Sequence, residues 1–167
     1  MTPDILPVDD DLRLRAFAGD ADVDLAWPWY RDPETLALVD GVDTPTYPRD
    51  RVAAMYETLG AQGELYLVER RTPDDTWVAV GDVTLAPDTL PIVIEPGSRR
   101  QGIGRRVLLR LVDRARVLGW DRLDVRQVYD GNEAAFRLFT GIGFVPFASG
   151  PPAMSLRLSP LGGRARP

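Results

Sequence analysis

Ile94-Glu95-Pro96-Gly97-Ser98-Arg99-Arg100-Gln101-Gly102-Ile103-Gly104-Arg105 joins an apolar strand to a turn, two glycines and a long amphipathic run. Beyond the glycines, Val107, Leu108, Leu111, Val112, Ala115 and Leu118 recur at helical spacing, which predicts a helix over residues 102–118. Gly102 and Gly104 therefore fall where strand becomes helix. A helix N-terminus presents unpaired N–H groups and the positive end of the dipole, and glycine lets an anion approach that backbone closely. Arg99, Arg100, Arg105 and Arg106 add full positive charges at the same point. Two readings fit these residues: a cradle for a pyrophosphate, or glycines that simply permit tight packing at the turn.

Some 28 residues beyond Gly104 comes Asn132-Glu133-Ala134-Ala135-Phe136-Arg137-Leu138-Phe139-Thr140-Gly141-Ile142-Gly143-Phe144. R-x-x-G-x-G, then a strand, then N-x-x-A-x-x-L-F-x-x-x-G-F, all within residues 92–147, resembles the GNAT superfamily of N-acetyltransferases. The resemblance implies transfer of an acyl group from coenzyme A to an amine, with acetyl-coenzyme A as co-substrate and no metal. Asp32-Pro33-Glu34 after the aromatic run Trp27-Pro28-Trp29-Tyr30 is similar to the branch that holds ribosomal-protein N-terminal and aminoglycoside N-acetyltransferases.

The 167 residues fit one domain, expected over residues 11–160, with a loose leader at 1–10 and a disordered tail at 161–167. A 44% hydrophobic and 27% charged composition is ordinary for a globular protein. No apolar run approaches 18 residues and the acidic start is unlike a targeting peptide, so the expected place is the cytoplasm, away from the membrane. The chain has no Cys, His or Lys, and all 20 basic residues are Arg. Disulfides, Ser-His and Cys-His pairs, an acyl-cysteine, a Ser-Lys dyad and the usual zinc ligands are thereby excluded. Acid-base chemistry must use carboxylates, tyrosine, water or the backbone.

Charge divides along the chain. Residues 1–90 hold 15 Asp and 4 Glu against 7 Arg, a net −12, while residues 91–167 hold 4 Asp and 2 Glu against 13 Arg, a net +7. The basic half suits a polyanionic ligand and the acidic half a cationic acceptor, although acidic loops also serve solubility. The pI near 4.8 argues against a nucleic-acid partner.

Alternation predicts a strand at 12–17, and helices are expected at 20–27, 32–41 and 49–59. Strands follow at 64–71, 76–85 and 90–95, then the helix 102–118, a strand at 122–128, a helix at 132–140 and strands at 145–147 and 154–158. The order predicts an α+β fold with a mixed, mostly antiparallel sheet of about six or seven strands. The resemblance adds flanking helices and a splayed pair of parallel strands that grips the pantetheine.

Attack on a thioester needs a free amine, so the site must remove a proton, orient the nitrogen and stabilise the oxyanion. The resemblance assigns Ile92, Val93 and Ile94 to the pantetheine strand, Arg99, Arg100, Gln101, Gly102, Ile103, Gly104 and Arg105 to the pyrophosphate, and Asn132 and Phe139 to the pantetheine region. Asn132 is also a natural N-cap. Phe139 stands where the family often has a tyrosine that protonates the departing thiolate, and a phenyl ring cannot. Tyr129 is the first substitute donor. For the base, Asp124 and Glu95 rank ahead of Asp82 and Asp88. Trp29, Tyr30, Asp32 and Glu34 are expected to line the acceptor site through cation-π and ionic contacts, with Trp27 in the core. The alternative to an enzyme is a coenzyme A-binding or sensing protein that has lost turnover, for which Phe139 speaks. A dinucleotide oxidoreductase lacks support, because the third glycine and the βαβ repeat are missing. Dimers are common in the superfamily, which allows a homodimer.

Overall fold

Residues 1–162 are described by a computed structural model. Five antiparallel strands, β1 (Ile5–Pro7), β2 (Leu12–Ala16), β3 (Glu64–Arg71), β4 (Trp77–Leu85) and β5 (Ile92–Ile94), pair in chain order. Three more, β6 (Leu123–Tyr129), β7 (Val145–Gly150) and β8 (Ala153–Leu158), form a second antiparallel sheet in the order β6-β8-β7. The mixed α+β architecture is thus as expected, but with eight strands in two sheets. β5 and β6 belong to different sheets, and the Asp124 N–H to Pro87 C=O bond of 3.1 Å fastens β6 to the loop between β4 and β5.

The additional strand corrects the expectation of a loose leader. Ile5, Leu6 and Pro7 pair with Arg15, Leu14 and Arg13, and Leu6 is buried in the core. Three residues are too few for alternation to register. At the other end Leu161 is buried and its N–H bonds to Asp121 C=O at 2.9 Å, so residue 161 is packed, not part of a tail. Residues 163–167 lie outside the described residues.

On one face of the larger sheet lie α1 (Asp20–Ala26), a 3₁₀ turn (Trp27–Arg31), α2 (Pro33–Asp40) and α3 (Arg49–Gln62). Pro28 ends α1 because it cannot donate into the helix, and Asp32 restarts it as α2 by accepting the Thr35 N–H at 2.8 Å. The other face carries α4 (Ile103–Val117) and α5 (Glu133–Ile142), whose Ile103, Val107, Leu108, Leu111 and Phe139 share a core with Leu14, Tyr66, Val83 and Leu85. β4 and β5 approach so closely that a Cβ at Gly81 would lie 2.2 Å from the Val93 carbonyl oxygen.

The two halves of opposite charge meet in ion pairs. Arg114 of α4 grips Glu64 at 2.6 Å, Arg106 holds Asp9 and Asp11, and Arg99 reaches Glu34 at 3.3 Å. Much of the segregated charge is therefore satisfied inside the molecule.

Candidate active site

The turn from β5 into α4 has the form of an anion nest. Arg100 at φ +61° and Gly102 at φ +76° are both left-handed, which swings successive N–H groups toward one point. Among the described residues, the N–H groups of 100–105 donate to no protein group, since the first bond of the helix is from Arg106 to Gly102. A Cβ built at Gly102 meets nothing within 4 Å, whereas one at Gly104 would press on Leu138 at 3.2 Å. The two glycines divide the two readings: Gly102 opens the cradle and Gly104 lets α4 pack on α5. The side chain of Ile103 is core, leaving its N–H to the nest. Gln101 is held by Arg70 at 2.6 Å, Arg105 extends to the Gly141 carbonyl, and Arg100 is exposed without an ion pair among the described residues.

Arg99 does not join this cradle. It turns inward, donating from Nε to the Ile94 carbonyl at 2.9 Å and from Nη2 to Thr35 Oγ1 at 2.6 Å. Asp32 is occupied as the α2 N-cap, which holds its carboxyl below the usual range, and Glu34 pairs with Arg99. These residues clamp α2 to β5 and are engaged with each other, contrary to their expected roles on pyrophosphate and acceptor. Trp29 and Tyr30 are also corrected. Both are buried, while Trp27 is half-buried with its Nε1 donating to the Tyr47 carbonyl at 2.9 Å and Arg31 over its ring. The 3₁₀ turn of Trp27–Arg31 turns Trp29 and Tyr30 into the core and leaves Trp27 at its edge.

Of the carboxylates, Asp124 is removed as a base. It is 1% exposed and takes a bidentate grip from Arg157 at 2.7 and 2.8 Å, which pulls its pKa down. Glu95, half-buried at the end of β5, accepts from Ser98 Oγ at 2.6 Å. Asp82 is different in kind. It is 2% exposed, on β4 opposite Val93 of β5, and its Oδ2 accepts from Tyr30 at 3.0 Å and Tyr56 at 2.8 Å. Burial pushes its pKa up to about 6, and its nearness raises both tyrosines further above their range. A buried charge solvated by two neutral donors is a proton acceptor near neutral pH.

β5 supplies Ile92, Val93 and Ile94 with their backbones laddered to β4, and Val93 faces the α1–α3 side. Tyr129, half-buried at the end of β6, directs its hydroxyl to Asp40 at 3.5 Å, and Asp40 and burial together raise its pKa. Asn132 caps α5 through the Ala135 N–H at 3.1 Å and ties it to the Leu38 carbonyl. Phe139 belongs to the core: it is 2% exposed and meets Phe144 edge-on at 5.3 Å. An open cleft of about 480 Å³ runs between α1 and α3, walled by Phe17 and Tyr56. Among the described residues no helix is long and apolar enough to cross a membrane, and no group of His, Cys, Asp or Glu could hold a metal.

The model of the acetyltransferase (GNAT) family matches residues 23–144, from α1 through the end of α5 and its Gly143-Phe144. This chain belongs to the GNAT family. The ribosomal protein bS18-alanine N-acetyltransferase of Salmonella typhimurium is 36% identical over 89 residues, which are 52% of this chain and 60% of that protein. The chain thus matches less than two thirds of that relative's length. Among solved structures, a domain from Methanocaldococcus jannaschii superposes with a TM-score of 0.79 over 90% of this chain and 99% of its own, at 16% identity. Spermidine N-acetyltransferase from Vibrio cholerae, in complex with CoA and spermine, gives 0.68 over 89% and 94%, at 18% identity. At these identities both likenesses concern the fold.

Proposed function

We propose that this protein transfers an acyl group, in the first place acetyl, from coenzyme A directly to the primary amine of a cationic small molecule or peptide. The observation that carries the reading is the row of unpaired N–H groups at 100–105 opening on a Gly102 with free space around it, in a chain of this family. Those N–H groups would hold the pyrophosphate, with Arg100 and Arg105 free to add charge. Acetyl-coenzyme A supplies an activated thioester when bound. The β5 backbone would orient it, the acceptor would approach from the α1–α3 side, and Tyr129, kept protonated by Asp40, could give a proton to the thiolate. The net −12 of residues 1–90 supports a cationic acceptor, as do the names of two similar proteins, an alanine N-acetyltransferase of a ribosomal protein and a spermidine N-acetyltransferase.

Thiol release is followed with acetyl-coenzyme A and a panel of amines at several salt concentrations. We expect turnover with cationic amines, and a second-order rate that falls as ionic strength rises with the cofactor saturating. Coenzyme A binding without thiol release from any amine would replace the enzyme with the binding or sensing protein that Phe139 also allows. A salt-independent rate, or a preference for anionic amines, would remove the cationic acceptor.

A further inference from the structure

We propose that Asp82 is the proton acceptor for the substrate amine, reached through the hydroxyl of Tyr56. This rests on the acyltransferase reading above. The geometry behind it is a contrast within the molecule. Five carboxylates are buried among the described residues, and four have an arginine: Asp22 has Arg15, Glu64 has Arg114, Glu69 has Arg13 and Arg15, and Asp124 has Arg157. In a chain with 20 arginines, a carboxylate that only holds the fold together is given one. Asp82 has two phenols in its place and no cation within 4 Å among the described residues. Phenols solvate the charge without fixing it, and a hydroxyl can take a proton on one side while giving one on the other.

The position is also specific. Asp82 stands opposite Val93, the middle residue of β5, and directly opposed side chains lie about 5 Å apart between their Cβ atoms. Tyr30, from the 3₁₀ turn, stacks on Tyr47 at 5.8 Å, and the Tyr47 hydroxyl serves Asp40 at 2.8 Å. Tyr56, from α3, walls the cleft that opens between α1 and α3. The neighbouring strands face Asp82 with Leu67 and Val93, so the groups that set its ionisation are the two tyrosines and its own burial. Tyr56 leads from the carboxylate to the cleft on the α1–α3 side, from which the acceptor approaches, while Tyr30 is buried and holds Oδ2 from the other side.

In the step, the substrate ammonium gives a proton to Tyr56 Oη as the Tyr56 proton passes to Asp82 Oδ2, leaving a neutral amine and a carboxylic acid. The nitrogen lone pair then bonds to the acyl carbon, the C–S bond breaks, and the electron pair leaves on sulfur, which takes a proton from Tyr129 as Tyr129 takes the second proton from nitrogen. Asp82 returns its proton through Tyr56 to the solvent in the cleft. One proton is released overall.

The test is the pH profile of kcat from pH 5 to 9 for wild type, Asp82→Asn and Tyr56→Phe, with coenzyme A affinity measured by calorimetry. Wild-type kcat should fall below about pH 6 with unit slope. Asp82→Asn should lower kcat at pH 7.5 by about 100-fold or more and abolish that limb, with coenzyme A affinity unchanged. Tyr56→Phe should lower kcat by at least about tenfold in a folded protein, which carries the test even if the Asp82 variant does not fold. An active wild type whose Asp82→Asn variant keeps its rate or its acid limb, or whose Tyr56→Phe variant keeps full kcat, overturns this assignment alone. A wild type that binds coenzyme A and releases no thiol with any amine overturns the acyltransferase reading, and this step with it.

Discussion

Replacing Asp82 with Asn should change how stability depends on pH. The folded carboxyl titrates at about 6 against a reference of 3.8, so its charged form is disfavoured in the native state by roughly two units, or about 3 kcal/mol at 1.36 kcal/mol per unit. A folded pKa raised above the unfolded one contributes stability that is fully present below pH 4 and is lost as pH rises through 6. Other carboxylates with lowered pKa values, such as Asp124 and Asp32, slope the opposite way and obscure this in a single curve. The difference between wild type and variant isolates it. Any constant cost of the new amide cancels across pH. Urea unfolding of both proteins from pH 4 to 8 should show Asp82→Asn gaining most of that 3 kcal/mol relative to wild type, equivalent to roughly 6 to 12 °C in Tm for a domain of this size. Parallel stability curves would mean that the carboxyl titrates at its ordinary value, and the buried-charge account would fail.

Gly102→Val places a branched side chain at φ +76° and in the open cradle, so coenzyme A affinity should drop at least about tenfold with a strain cost of about 1 to 2 kcal/mol. Gly104→Val pushes into Leu138 and should instead lower stability by about 1 to 3 kcal/mol with little change in affinity; calorimetry and melting together check the division. Asp124→Asn loosens the Arg157 pair, and because Arg157 is 32% exposed and can turn to water the loss should be only about 1 to 2 kcal/mol by melting. Its thiol-release rate per folded molecule should match wild type, and a hundredfold loss would restore Asp124 as a base.

The sequence made the glycine turn, the helix behind it and the Asn132 cap legible because each is a local signal: periodicity, left-handed glycine and an Asx side chain at a helix start. What it hid depends on partners far away in the chain. Arg99 sits in the motif but spends its guanidinium on Thr35, 64 residues back, and Arg157 silences Asp124 from 33 residues ahead. Asp82 was readable as one carboxylate among several. Its distinction is negative, the lack of an arginine, and only packing shows that. The cue that could have raised it is the alternation of β4, where an aspartate between Gly81 and Val83 falls on an inward face without a basic residue beside it. For Trp27 and Trp29, Pro28 marked the end of the helix, but which ring the turn behind it buries depends on packing against α3 and β4.

The division of the strands has a consequence for how the chain is made. Every ladder of the first sheet lies within residues 5–94, and every ladder of the second within 123–158. During synthesis the first sheet can therefore zip before the second has left the ribosome, and the two can then dock as bodies of opposite charge, guided by Arg106 toward Asp9 and Asp11 and by Arg114 toward Glu64. A cut near Gly97, in the connection before α4, leaves Arg106 and Arg114 with the second sheet and should give two fragments that find each other again when mixed at low salt.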